Sequence, residues 1–579
     1  MLELTGVSRT VPHKRGTLTV LNEASFCVPP GHLMTVIGAT GSGKTSLITL
    51  LAGHDAPSQG AILFQGRDCA VEAPHPNSIG HVPASDDVLC EALTVRESVM
   101  SALMLRVAGQ SREERVARAS HLLVGTGLET AATARVGTLT LPQKRRLKLA
   151  LALVSDPALV LCDEFTDGLD ARSERELAAL LKFVAGDHPA RVVIHATQTV
   201  GNLAAYDTVV ILHEGHVCFH GPSRAVTHYF SIPAMDELYP RLAKRPAERW
   251  GDSWCRHRDS YYEAFKLGGL GEPATSLGDE ESAAARKAGA GRTGFTESRT
   301  AAAAPEPPPL PSATAQARHL MLRRWTLMRR TRAQWLRHLG VLLLCPAAAV
   351  LLVLPNRGFL EKLSADAGPE VLWPAAYTCM MALWVQILLV LMMAVRAGAR
   401  EIGGERPLYE RERAGGLRLG AYLAAKLGFV LPLVLLQSLA LGVLADMLTG
   451  GLPGHALPRL LLLALTGCAF GCLCLGISAC SADAGRAHSR AWMLFFFNLI
   501  LAGALLGFPR VLGGVIHPFI TAYHGWSGSV ETLRDTAVFE PVTRLVRTWF
   551  ATPAQAMWAL GGHSLVGVLL AWFGLRNRR

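Results

Sequence analysis

Residues 33–45 read LMTVIGATGSGKT, an apolar run that breaks into a glycine-rich octet and then into the helical stretch SLITLLAG. A strand, a tight turn and a helix in that order bring free backbone N–H groups to a helix N-terminus, where they can wrap phosphate oxygens and the helix dipole adds to the attraction. Gly38, Gly41 and Gly43 let the chain turn closely, and Ala39, Thr40 and Ser42 keep the loop slim. Lys44 is then placed to reach the β- and γ-phosphates of a nucleotide such as ATP, with the Thr45 hydroxyl as a ligand for the accompanying Mg2+.

Further along, residues 159–170 read LVLCDEFTDGLD. An apolar strand ends in Asp163, suited to the Mg2+ shell, and Glu164, suited to orient and deprotonate the water that attacks a phosphoryl group. An acidic pair at a strand end is a weak signal alone and a strong one behind a phosphate loop. Around these motifs residues 1–235 alternate short β-rich runs, such as RVVIHAT at 191–197, with helical stretches. That alternation predicts an α/β domain with a mostly parallel sheet covered by helices.

The chain has 579 residues, too many for one hydrophobic core, which tends to stop growing near ~250–300 residues. Acids and bases crowd the first half, and long apolar runs fill the second. Residues 236–315, rich in Ala, Gly, Glu, Ser and Pro and ending in AAAAPEPPPLPSATA, read as a partly disordered linker. Residues 316–338 set Met321, Trp325, Met328 and Trp335 at helical spacing among arginines, the pattern of a basic amphipathic helix at a membrane surface. Apolar runs then lie near 339–354, 371–395, 427–448, 460–479, 491–508 and 553–575, each close to the ~20 residues that cross hydrocarbon. An all-helical domain of about six spans over 339–579 is expected, with both ends on one side.

Charge agrees with that layout. Arg396, Arg400, Arg406, Arg411, Arg413 and Arg418 crowd the second connection, Arg486 and Arg490 the fourth, and Arg576, Arg578 and Arg579 the end, so these mark the cytosolic side. The apolar stretch VLGGVIHPFI, in the last connection, is expected to re-enter the membrane without crossing it. The formal net charge of +11 is explained by these arginines, and no basic stripe interleaved with aromatics speaks for nucleic acid. The 12 cysteines lack paired zinc-type spacing and read as small hydrophobes. The N-terminus shows no cleaved signal, which starts the first domain in the cytosol, and no Asn opens a glycosylation sequon, which fits a bacterial inner membrane.

The phosphate loop, Asp163-Glu164, a following Gly168-Leu169-Asp170, and His195 in RVVIHAT together resemble the ABC nucleotide-binding domain over residues 1–235. The resemblance implies that His195 contacts the γ-phosphate and that Asp170 lies in a loop crossing a dimer. Cassette first and membrane domain second resembles the G subfamily of ABC half-transporters. In that subfamily a stretch like ERPLYERERAGGLRLGAYLAAKL, residues 405–427, couples cassette to spans, which implies that role for Glu405, Tyr409, Glu410 and Glu412. Ion-paired helix surface is the plainer reading of the same acids.

Two of the family's features are altered. Where its signature reads LSGGQ, this chain has Leu139-Thr140-Leu141-Pro142-Gln143: a hydroxyl survives at Thr140, but Leu141 adds bulk where backbone must approach and Pro142 lacks an N–H. The Q-loop glutamine is replaced by Ser85 or Ala84, depending on whether Asp86-Asp87 or Val82-Pro83 sets the register, and only His13 is available to stack adenine. Because each site of such a dimer joins one chain's phosphate loop to the other's signature, the expected partner is a different half-transporter with an intact signature, ahead of a second copy. The expected function is ATP-driven export of a lipophilic small molecule or lipid from the bilayer. A membrane-anchored ATP-binding regulatory subunit is the alternative.

Overall fold

The computed structural model describes residues 1–13, 16–86, 88–188, 190–264, 306–364, 367–546 and 548–577. Most of the expected disordered linker, Asp87, the His13 side chain, Arg578 and Arg579 lie outside the described residues. Contacts divide the chain into two units, Met1–Pro311 with Ala414–Gly416, and Ser312–Arg413 with Leu417–Arg579.

The strands of the first unit are Leu2–His13 (β1), Gly16–Val28 (β2), Leu33–Ile37 (β3), Gln59–Phe64 (β4), Arg67–Asp68 (β5), Ile79–Val82 (β6), Leu159–Asp163 (β7), Val192–Thr197 (β8), Thr208–His213 (β9) and His216–Gly221 (β10). They form one ten-stranded sheet in the order β5-β4-β1-β2-β10-β9-β3-β8-β7-β6. The run β9-β3-β8-β7-β6 is parallel, and β3, β7 and β8 are buried along their whole length, as strands covered on both faces must be. The other end is an antiparallel arm, because β1 and β2 form a hairpin and β4 pairs β1 antiparallel. The sheet is therefore mixed, with its parallel half carrying the motifs.

The helices of this unit are Lys44–Leu51 (α1), Val95–Arg106 (α2), Arg112–Gly125 (α3), Leu141–Ala152 (α4), Ala171–Asp187 (α5), Ser223–Phe230 (α6), Leu238–Leu242 (α7) and Ala247–Ala264 (α8). Reciprocal capping boxes start α2 at Thr94/Glu97 and α3 at Ser111/Glu114. Residues of α2, α3 and α4, among them Val99, Leu103, Leu123 and Leu147, bury an apolar cluster of their own. Trp250, Trp254 and Tyr262 of α8 join the main core, with the Phe219 and Trp254 rings 5.1 Å apart. The first core thus runs past residue 235, where the sequence reading ended it.

In the second unit, Ala313–Arg330 (α9) and Arg332–Val353 (α10) meet at Thr331, whose ψ of 88° interrupts the helix. The expected amphipathic helix over 316–338 is therefore α9 plus the first turns of α10. The helices Arg357–Glu361 (α11), Pro369–Gly398 (α12), Arg406–Ala414 (α13), Leu419–Thr449 (α14), Ala456–Cys480 (α15), Ala484–Leu501 (α16), Arg510–Ile516 (α17), Thr521–Glu531 (α18), Phe539–Leu545 (α19) and Pro553–Arg576 (α20) follow.

Among the described residues five helical segments are long and apolar enough to cross a membrane: Arg332–Glu361, Pro369–Gly398, Leu419–Thr449, Ala456–Cys480 and Pro553–Arg576. The expected sixth, near 491–508, corresponds to α16, which stops at Leu501 and whose first two turns carry Arg486, His488 and Arg490. The expected re-entrant stretch is α17 with a 3-10 turn, and the element buried against its neighbours is α18, every residue of which is buried. Asn498 of α16 fixes the start of α18 by accepting from Ala522 N–H at 2.9 Å.

Candidate phosphate-binding site of the cassette

β3 delivers the glycine-rich loop at its C-terminal end, beside the ends of β7 and β8, where ligands bind in parallel sheets. Gly43, with φ of 101°, is the N-cap of α1, and a Cβ there would stand 2.5 Å from the Val20 carbonyl oxygen, so only glycine fits. Lys44 Nζ folds back over the loop and donates to the Gly38 and Ala39 carbonyls at 2.7 and 3.0 Å. Burial lowers the Lys44 pKa from its usual value, against the pull of Glu164, Asp167 and Asp163. One ammonium thus faces three carboxylates across the loop.

Asp163 ends β7 almost fully buried. Burial raises its carboxyl, with Glu164 adding to the rise, while a hydrogen bond from Thr45 and the charge of Lys44 oppose it. Its Oδ1 has no hydrogen-bond partner, and a buried carboxylate oxygen left so beside an exposed threonine hydroxyl is a fit for a hard cation. Among the described residues no three His, Cys, Asp or Glu side chains group as an all-protein cage, so a cation held here would need further ligands from phosphate or water. Glu164 follows with φ of 47°, a left-handed conformation costly for a residue with a Cβ, held by its N–H donating to the Ala196 carbonyl at 2.9 Å.

His195 is not brought to this group. It sits inside β8, fully buried, with Nδ1 2.8 Å from the Tyr206 hydroxyl and its ring stacked on Tyr206 and edge-on to Phe165. Every position of β8 is buried, and this imidazole packs in the core. Burial pushes its imidazole down to about 3. The residue that does face the acidic pair is Gln198, just past the end of β8. Its Nε2 donates to Glu164 Oε1 at 3.2 Å, and its Oε1 accepts from the Thr40 hydroxyl at 3.0 Å. It lies outside the motifs legible in the sequence. The signal available was its position immediately beyond a buried parallel strand.

Asp170 caps α5, accepting from the N–H groups of Arg172 and Ser173 at 3.2 and 3.1 Å. Where the sequence suggests an altered signature, Leu139 is buried in the helical cluster and Thr140 is exposed as the N-cap of α4, its N–H donating to Gln143 at 3.0 Å. Leu141 and Pro142 form the first turn, where a missing N–H costs the helix nothing. About two turns on, Lys148 Nζ donates to the carbonyls of Pro83, Ala84 and Ser85 and lies 2.8 Å from Asp86. Arg145 adds a 2.6 Å bond to the Ala84 carbonyl. Residues 83–86 are thereby fastened to α4.

In the second unit, Glu412 receives both Nη atoms of Arg323, at 2.5 and 3.1 Å, and Glu405 lies 2.6 Å from Lys426. Glu401, which the sequence reading passed over, receives Nε and Nη2 of Arg324 at 2.6 and 2.8 Å and Lys426 at 3.0 Å. Burial would raise the Glu401 and Glu412 carboxyls, but the neighbouring cations more than offset it and hold both below the usual carboxylate range. Tyr409 is buried with its ring 4.4 Å from Tyr422, and Glu410 stays exposed.

Residues 21–167 match the family model described as ABC transporter, and residues 316–517 match the one described as ABC-2 type transporter. The lipoprotein-releasing system ATP-binding protein LolD of Chromohalobacter salexigens is 33% identical over 223 residues, covering 38% of this chain and 92% of that protein. The chain belongs to the ABC transporter family. This ABC transporter carries its cassette first and its ABC-2 membrane domain second. Its cassette region is also 31% identical to the ATP-binding/permease protein Rv1747 of Mycobacterium tuberculosis, over 42% of this chain and 28% of that one. ABC transporter G family member 26 of Arabidopsis thaliana is 30% identical over 42% of this chain and 36% of its own. The chain thus spans about a third of the length of these two relatives.

Proposed function

We propose that this chain is one half of an ATP-driven exporter, with the cassette on the cytosolic side of a bacterial inner membrane. The observation that carries the reading is the convergence of Lys44, Asp163 and Glu164 on one phosphate loop. Lys44 turns from the Gly38 and Ala39 carbonyls to the β- and γ-phosphates. Thr45 and Asp163 would hold Mg2+, which would supply charge neutralisation at the phosphate oxygens. Glu164 takes the proton of the attacking water as the bond to the γ-phosphorus forms and the ADP oxygen leaves.

The partner is a second half-transporter. Thr140, Leu141 and Pro142 are what this chain offers across the dimer, so a partner with an intact signature completes the site on this phosphate loop, whereas a second copy completes it poorly. Closure of the cassettes reaches the spans through the segment holding Glu405, Tyr409, Glu410 and Glu412, whose buried ion pairs make it stiff enough to transmit a push. The cargo is lipophilic and enters from the bilayer.

The test is untargeted mass spectrometry of cells and medium, comparing wild type with Glu164→Gln. The expected result is a lipophilic species that accumulates in the variant cells and is depleted outside. Identical profiles would support the regulatory-subunit reading instead.

A further inference from the structure

Lys148 of α4 is sealed, its side chain 1% exposed, and its ammonium faces four oxygens. Nζ donates to the carbonyls of Pro83, Ala84 and Ser85 at 2.9, 3.1 and 3.2 Å and lies 2.8 Å from Asp86 Oδ1. In an extended chain successive carbonyls point to opposite edges, so three in a row that converge on one nitrogen show a backbone curled around it. Leu147 and Leu149, on either side, are buried in α4 as plain apolar side chains. An ammonium buried between them costs desolvation, and its whole hydrogen-bonding capacity goes to residues 83–86. Those residues continue from the C-terminal end of β6, whose Val82 pairs with Cys162, the neighbour of Asp163 on β7. Because β6, β7, β8 and β3 are parallel, this is the edge of the sheet at which the glycine-rich loop also leaves β3.

Resting on the reading of this chain as an ATP hydrolase, we propose that Lys148 is a positioning residue for that reaction: its ammonium curls the loop after β6 against α4 and so sets the wall of the site beside Asp163. The charge that does this can be removed by pH alone. Burial brings the Lys148 pKa down to about 8, against the hydrogen bond to Asp86 and with Arg145 adding to the fall. The titratable and charged groups that face it are Asp86 and His81 around β6, Cys162 on β7 and Arg145 on its own helix. Burial lowers the His81 imidazole and raises the Cys162 thiol, so neither changes charge where Lys148 does. A neutral amine offers two N–H donors and a lone pair to the four oxygens, and the loop loosens as pH rises through about 8.

The experiment is steady-state phosphate release by the full-length chain in lipid vesicles from about pH 6 to about pH 9.5, for wild type, Lys148→Met and Asp86→Asn, with a melting temperature for each. The wild-type rate is expected to be level up to about pH 8 and to fall above it. Lys148→Met, of similar length but without the charge, is expected to lower kcat about fivefold or more with the KM for ATP within about threefold, and to lack the alkaline fall. Asp86→Asn keeps the shape of its side chain and removes the carboxylate that holds the proton on Lys148, so the fall is expected to begin about one pH unit lower. A wild-type rate level throughout, a Lys148→Met rate equal to wild type, an alkaline fall that Lys148→Met retains, or an Asp86→Asn profile that superimposes on wild type would each overturn the inference. Where Lys148→Met fails to fold, the comparison of Asp86→Asn with wild type decides. Absence of turnover in the wild type at every pH would instead overturn the proposed function, and this inference with it.

Discussion

Pro142 and Leu141 cost α4 nothing, since the first turn of a helix has no intrahelical use for its N–H groups. They matter only to something that approaches the helix end from outside, such as a phosphate held by another subunit. Leu141→Gly with Pro142→Gly is therefore expected to raise phosphate release by the chain alone about tenfold, or ~1.4 kcal/mol of transition-state stabilisation. No change would show that the signature does not limit turnover. The motifs from Gly38 to Thr45 and at Asp163-Glu164 were legible because each one's chemistry lies in contiguous residues between a strand and a turn. Gln198 was not, because nothing in RVVIHATQ says which residue near the strand end clears the core. The strand is buried on both faces from Val192 to Thr197, His195 included, and the chain emerges into the site only after Thr197.

The ion pairs of the second unit belong to a larger scale, since they join α9, the turn after α12, α13 and α14. Glu401→Gln leaves Arg324 and Lys426 buried and short of a carboxylate, and is expected to destabilise the membrane domain by about 3–5 kcal/mol in denaturant unfolding. A drop below ~1 kcal/mol would mean the pairing is nearly neutral. The pH dependence has a definite sign. The folded Glu401 carboxyl is held down at about 2, so its contribution is complete above the unfolded carboxylate pKa of about 4.3 and is lost as pH falls toward the folded value. Melting temperature in detergent should accordingly be level above about pH 5 and fall below it. Glu405 and Glu412 were visible in a charged helical stretch. Glu401 was not, because its partners lie 77 and 25 residues away in sequence. Helices α7 and α8 were absorbed into the expected linker, although Trp250 and Trp254 at one-turn spacing were the available sign of a buried face.

Across the whole chain, the division into an α/β cassette and a helical membrane domain was plain from where charge gives way to apolar runs. The number of spans was less so, because hydropathy measures composition and not where a helix begins. In α16 the apolar residues are preceded within the same helix by Arg486, His488 and Arg490, and the helix ends before a full span accumulates. Both units serve one claim, that hydrolysis at the phosphate loop of the cassette is the source of work for the membrane domain. The most direct test is phosphate release by the full-length chain in lipid vesicles with Mg-ATP, wild type against Glu164→Gln. The expected result is slow turnover by the wild type and a loss of about 100-fold or more in the variant, in keeping with removal of a general base. Equal rates in the two, or none in either, would contradict the account.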